Sequence, residues 1–136
     1  MLSYLFIGAN DVGASAKFYD AILSPLGYDR EVSEGQVSYS LPDTVDKSNG
    51  PGTVHVSRPF DGRAATVGNG MMPAFRAESR AQVDDIHAAG LASGGTDEGS
   101  PGTREAYTAG FYVSYLRDPV GNKVAVFCNI GDESGK

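Results

Sequence analysis

Among the residue types that do acid–base, nucleophilic or metal chemistry, this chain has few to offer. It holds two histidines, His55 and His87, and a single cysteine, Cys128. His55 stands in the alternating run T-V-H-V-S, and Tyr4 stands in the apolar run from Leu2 to Ala9. An imidazole near its ordinary pKa serves as a general base at neutral pH, and a phenol can polarise a carbonyl oxygen, so Tyr4 and His55 are the candidate catalytic pair. Side chains alternate across a strand. If Leu5, Ile7 and Ala9 face a helix, Tyr4, Phe6 and Gly8 share the other face, and if Val54 and Val56 do so, His55 joins them. If Val124, Val126 and Cys128 point inward, Lys123, Ala125 and Phe127 take the opposite side. Met72 and Ala74 complete that side, with Tyr112 or Tyr115 contributed by the neighbouring strand. The predicted ligand-binding set is Tyr4, Phe6, His55, Met72, Ala74, Tyr112, Ala125 and Phe127, an aromatic and softly apolar surface closer to a binding pocket than to a hydrolytic centre.

Other residues read as structural. His87 falls beside Ile86 at the edge of a predicted helix, and Cys128 reads as an inert buried thiol on the helix side. Arg58, Arg63 and Arg104 sit in loops near Gly and Pro, where solvation is expected. The glycines at 68, 70, 99 and 102 make no phosphate loop, because no Lys-Ser/Thr follows them.

The elements that must position these side chains follow from periodicity and breakers. Leu2–Ala9 is a predicted strand; Asn10 and Asp11 offer helix caps, and Ala14, Phe18 and Ile22 recur at helical spacing until Pro25 and Gly27 end the helix. Tyr28–Val32, Gln36–Leu41 and Thr53–Ser57 read as strands around a Pro42–Gly52 loop. The plan then repeats: strand Met71–Ala77, a Ser79/Gln82 capping box opening a helix with Val83, Ile86 and Gly90 buried, breaks at Gly94, Gly95, Gly99 and Pro101, and strands from about Glu105. The last two, Phe111–Leu116 and Val124–Cys128, form a hairpin around R-D-P-V-G-N. Tyr4 and Met72 hold corresponding places 68 residues apart. The expected fold is α+β: two βαβββ modules in one 1–136 domain, curling a shared mixed sheet into a cup with helices outside. Module 1 covers about 1–58, a linker 59–69, module 2 about 70–130, and a polar tail 131–136.

At 136 residues, 40% apolar and 21% charged, the chain has the composition of one soluble globular domain. Its net charge of −6 divides evenly, −3 in residues 1–66 and −3 in 67–136, so no basic half invites nucleic acid, and a cationic ligand is the better tolerated. The lone cysteine excludes an internal disulfide, and no signal peptide or membrane-length apolar run is present, so the expected setting is the cytoplasm.

The stretches I-G-A-N-D-V, S-A-K-F-Y-D-A-I-L-S-P-L-G-Y, R-P-F-D-G-R-A-A-T-V-G-N-G, S-R-A-Q-V-D-D-I-H-A-A-G-L-A-S-G-G-T and F-Y-V-S-Y-L-R-D-P-V-G-N-K resemble the vicinal oxygen chelate superfamily, which includes glyoxalase, bleomycin-resistance and extradiol dioxygenase proteins. The resemblance implies paired βαβββ modules, commonly a homodimer, and a divalent metal held by a His on the first strand, a ligand on the second module's first strand, a Glu on the last strand and a further donor from the strand ending the first module. Here the matching positions are Tyr4, Met72, Ala125 and His55. A methyl cannot ligate, a thioether is a poor donor for hard or borderline ions, and a phenol ionises near pH 10. The sequence therefore predicts no metal and no cofactor, and a superfamily member that binds a small aromatic or cationic molecule in its cup. The alternatives are a glyoxalase-like lyase, using Tyr4 and His55 or a rearranged metal set, and an assembly module whose cup is filled by its own side chains. The expected partners are a small molecule and a second copy of the chain, with neither nucleic acid nor membrane.

Overall fold

A single carboxylate starts the first helix. β1 (Tyr4–Gly8) passes into α1 (Val12–Leu23) through Asp11, whose side chain accepts the Ala14 N–H at 3.0 Å and satisfies an open donor of the first turn. The helix buries Phe18, Tyr19, Ile22 and Leu23, then tightens into a 3-10 turn, Ser24–Leu26, closed by Gly27 at φ 93°, a left-handed position that suits glycine. In the computed structural model, which describes residues 1–129, β2 (Asp29–Ser33), β3 (Gln36–Ser40) and β4 (Thr53–Ser57) complete a sheet of order β1-β4-β3-β2. Within it β1 runs parallel to β4, and the other pairs are antiparallel. Residues 58–73 carry no helix or strand. The predicted tail 131–136, and the predicted end of the second module at 130, lie outside the described residues.

The second half repeats the plan with β5 (Ala74–Arg76), α2 (Arg80–Ala92), β6 (Thr96–Gly102), β7 (Phe111–Arg117) and β8 (Lys123–Asn129), in a sheet of order β5-β8-β7-β6. The Ser79 side chain accepts the Gln82 N–H at 3.1 Å, as the capping box predicts; Gln82 Oε1 answers one residue earlier than expected, accepting the Glu78 N–H at 2.8 Å. One expectation fails at β6. Gly94 and Gly95 break the chain after α2 as expected, but Gly99 and Pro101 do not end structure. They lie in an edge strand with register shifts between Asp97 and Gly99 and between Gly99 and Gly102, and residues 103–110 are the loop. An edge strand pairs on one side only, so it accommodates bulges, Gly and Pro that a central strand would not.

The α+β class and the two βαβββ modules are as predicted, but the sheet is not continuous: the strands hydrogen-bond as two sheets of four. The modules join through their helix sides. Phe18, Tyr19 and Ile22 of α1, Val83 and Ile86 of α2, and Leu116, Val124 and Val126 of the second sheet belong to one core, and α1 packs on α2. Among the described residues no helix is long and apolar enough to cross a membrane.

A polar clasp pins this arrangement. Asp118 opens the β7–β8 turn, and its Oδ1 accepts the N–H groups of Val120, Gly121 and Asn122 at 2.9, 3.0 and 2.9 Å. Its Oδ2 accepts the Tyr19 hydroxyl from α1 at 2.7 Å and the Asn122 amide at 2.9 Å, while Asn122 Nδ2 also donates to the Gly8 carbonyl at 3.1 Å. The second module's turn thereby holds the first module's helix and strand. Burial pushes the Tyr19 phenol well above its ordinary pKa, and the adjacent Asp118 carboxylate pushes it further; burial and the Asp20 carboxylate act likewise on Tyr39.

Asp118→Ala is expected to destabilise the fold by about 3 kcal/mol, because a buried phenol and three amides lose a charged acceptor together; the shift of the urea midpoint measures it. A second expectation concerns alkaline pH. The unfolded chain releases tyrosyl protons near pH 10 while the folded chain retains those of Tyr19 and Tyr39, so stability is full below about pH 10 and falls as pH rises beyond it. Urea unfolding of wild type and Tyr19→Phe from pH 8 to 11 checks the sign, with a shallower fall in the variant.

Candidate functional site

The first sheet brings three predicted residues together. Parallel pairing of β1 with β4 sets Phe6 opposite His55, and their rings stack with centroids 4.8 Å apart. The Tyr4 ring meets both edge-on, at 5.9 Å from Phe6 and 5.6 Å from His55. Tyr4 and Phe6 are 45% and 56% exposed, whereas His55 is only 6% exposed. Two hollows adjoin these rings. One, of about 410 Å³, is lined by Tyr4, Phe6, Glu31, Gln36, Lys47 and His55 among others; a larger one, of about 790 Å³, runs past Phe6, Glu34, Arg58, Pro59 and Phe60.

His55 is held at both nitrogens. Nε2 lies 2.8 Å from the Ser48 carbonyl, which can only accept, so Nε2 carries the hydrogen. Nδ1 is then the acceptor, taking the Ser38 hydroxyl at 2.7 Å and the Gln36 amide at 3.1 Å. A neutral imidazole has one donor and one lone pair, and both are used. The loop bearing Ser48 is itself fixed, since Asp46 accepts the N–H groups of Ser48 and Asn49, each at 3.1 Å. His55 thus ties β4 to β3 and to the 46–50 loop. A general base needs a lone pair facing its substrate, and this one faces Ser38. The Tyr4 hydroxyl makes no hydrogen bond among the described residues and stands at the surface.

The remaining predicted residues fall elsewhere. Ala74 pairs with Ala125, and Arg76 with Phe127, on the second sheet. Met72 is exposed and precedes β5 by two residues rather than lying in it. Tyr112 does not line the open face. It pairs with Cys128, its hydroxyl donates to Asp84 of α2 at 2.7 Å, and its ring lies under Arg80 at 5.0 Å. Tyr115, the other choice, is the one opposite Ala125. The register of the R-D-P-V-G-N turn was the available signal, because Arg117 opposite Lys123 forces Tyr112 opposite Cys128. Cys128 is buried on the helix side, as expected. His87 is buried rather than at a helix edge, with Nε2 3.0 Å from Asp97. Arg104 is not a freely solvated loop cation: it donates to the carbonyls of Ser100 and Thr103 at 2.9 and 3.1 Å.

These residues do not fit the divalent ion that the family resemblance implies. Ala125 and Ala74 carry methyls, Met72 is a thioether outside its strand, and the His55 lone pair is committed to Ser38. No three His, Cys, Asp or Glu side chains converge on a metal-holding arrangement among the described residues.

Searches of family profiles and of curated proteins found no match to the chain. Solved structures do match. A glyoxalase/bleomycin resistance protein from Albidiferax ferrireducens T118 is 39% identical with a TM-score of 0.80, over 94% of this chain and 98% of that one. A glyoxalase-related enzyme from Fulvimarina pelagi is 19% identical with a TM-score of 0.71, over 95% and 88%. A lactoylglutathione lyase from Agrobacterium tumefaciens is 19% identical with a TM-score of 0.61, over 94% and 92%; at that identity the likeness is one of fold.

His55→Ala is expected to cost about 2 kcal/mol of stability, since the Ser48 carbonyl and the Ser38 hydroxyl lose their partner. Zn²⁺ or Mn²⁺ is expected to leave the wild-type melting temperature unchanged. A metal-dependent rise seen in wild type and absent from His55→Ala would contradict the reading of His55.

Proposed function

The chain belongs to the glyoxalase/bleomycin resistance protein/dioxygenase family, and from that premise we propose that it binds a small aromatic or cationic molecule on the open face of its first sheet, without a divalent metal. The observation that carries this reading is the ring cluster: Tyr4 and Phe6 stand exposed over a buried imidazole whose hydrogen bonds are all internal. Exposed aromatic rings beside hollows suit flat or cationic ligands, which gain from stacking and from the negative ring face. Each hollow pairs one carboxylate with one cation, Glu31 with Lys47 and Glu34 with Arg58, so the ring faces rather than net charge carry the attraction. Acid–base turnover by Tyr4 and His55 would require His55 to abandon Ser38, so binding is the reading favoured here. The enzymatic names of the structural relatives are not carried over.

The proposed macromolecular partner is a second copy of the chain. Phe6, Val32, Phe60, Met71 and Met72 are all exposed, which is much apolar surface for a small monomer to leave in water. Sedimentation at micromolar concentration should return twice the mass of one chain, and a monomer would refute this part.

A thermal-shift screen tests the binding function. Aromatic and quaternary ammonium compounds are expected to raise the melting temperature, since any ligand that binds only the folded state stabilises it. The rise should shrink in Phe6→Ala. If no compound of either class stabilises the protein, or if Phe6→Ala responds like wild type, the proposal fails.

A further inference from the structure

We propose that Asn69 is a self-modification site, at which the linker between the modules converts its own asparagine to isoaspartate and aspartate. The first-sheet reading plays no part in it. The chain holds five asparagines, and two of them, Asn49 and Asn69, precede glycine. That dipeptide is the reactive one, because glycine has no side chain to shield its backbone nitrogen from the preceding side-chain amide. The structure treats its two copies differently.

At 69 the reacting groups are free. Asn69 and Gly70 are both exposed, in the middle of a turn closed by the Met71 N–H on the Gly68 carbonyl at 2.9 Å. Neither the Asn69 side-chain amide nor the Gly70 N–H makes a hydrogen bond among the described residues. No atom beyond the adjoining residues lies within 4 Å of where a Gly70 side chain would begin.

At 49 the same groups are tied. Gly50 is buried and its N–H donates to the Asp46 carbonyl at 2.7 Å. Asn49 gives its side-chain amide and its own N–H to the Asp46 carboxylate at 2.9 and 3.1 Å. Attack there must wait for the loop to open locally. The related Asp61–Gly62 step is tied likewise, with the Gly62 N–H on the Pro59 carbonyl at 3.0 Å and Asp61 accepting the Arg63 N–H at 2.9 Å. Asn10 accepts the Ala65 N–H at 2.7 Å, Asn122 is held in the Asp118 clasp, and the β-branched Ile130 follows Asn129 in sequence.

The Gly70 nitrogen gives its proton to water and attacks the Asn69 side-chain carbonyl carbon. The new C–N bond closes a succinimide ring as the bond to Nδ2 breaks and ammonia leaves, taking up a proton. Water then opens the ring. Addition at the side-chain carbonyl gives aspartate; addition at the main-chain carbonyl gives isoaspartate, whose backbone runs through the former side chain. An amide and a water become a carboxylate and an ammonium ion, with no redox partner. The linker gains a negative charge and, in isoaspartate, one more main-chain carbon. Gly68 and Met71 of this turn line a hollow of about 220 Å³ between β1 and the start of β8, so the change falls on the seam of the modules.

The test holds folded protein at about pH 8 and 37 °C and follows both sites by peptide mass spectrometry, with isoaspartyl methyltransferase labelling to identify isoaspartate. Each site's rate is divided by its own rate in urea, where the sequence acts alone. The folded-to-urea ratio at Asn69 is expected to exceed that at Asn49 about tenfold or more, because only the 46–50 loop must open first. The product at 69 should include isoaspartate, which direct hydrolysis of the side chain does not give. Asp46→Ala should raise the ratio at 49 and leave that at 69 unchanged. Equal ratios at the two sites, an intact Asn69 once the urea-treated chain has converted, or aspartate alone at 69 would overturn the proposal. So would an Asp46→Ala variant, folded by its amide spectrum, in which Asn49 stays as slow as in wild type.

Discussion

The functional reading depends on a valence constraint at one imidazole. A neutral ring has one hydrogen to give and one lone pair to receive with, and His55 spends the first on Ser48 and the second on Ser38 and Gln36. With those bonds made, the ring can cross-link strands and support Phe6 by stacking, but it has nothing left for a metal or a substrate proton. The chain thereby keeps the architecture of a family that includes enzymes while using its most reactive side chain as a tie. Tyr4 and Phe6 remain as an exposed aromatic surface, the one proposed to hold a ligand.

The same division between tie and surface recurs in the way the modules meet. Asp118 gathers backbone amides of its own turn, the Tyr19 hydroxyl of the other module and the Asn122 amide that reaches Gly8. Behind it lies a core to which both helices and both sheets contribute. Apolar packing is concentrated on the helix sides, and the opposite face of each sheet carries aromatic, charged and hydrogen-bonding groups. Both open faces mix the two signs, with Glu31, Glu34, Lys47 and Arg58 near the first and Arg76, Lys123 and the Arg117–Glu98 pair on the second.

Local chemistry made much of the fold legible in the sequence. The Asp11 and Ser79 caps, the Pro25–Gly27 stop, the T-V-H-V-S strand and the Asp118 turn all follow from nearest neighbours, and the structure keeps them. β6 was not legible, since Gly99, Gly102 and Pro101 argue against a strand unless it is known to be an edge. The paired modules were readable as a repeat, but how their sheets join was not, because that depends on contacts between α1 and α2. At the site, alternation correctly put Tyr4, Phe6 and His55 on one face. It could not show that the lone pair of His55 is spent, which requires the register of β3 and the fold of the 46–50 loop. The phase of β7 was recoverable from the closing pair Arg117–Lys123, and taking Tyr115 from it leads directly to the cations on its ring.

The ring nitrogens of His55 report on the central claim most directly. A long-range proton–nitrogen NMR correlation of the imidazole, recorded before and after addition of Zn²⁺, should show a neutral ring with its hydrogen on Nε2 and no change with metal. A hydrogen on Nδ1, or signals displaced by the ion, would mean that the lone pair is available and that the chain holds a metal or proton-transfer centre after all.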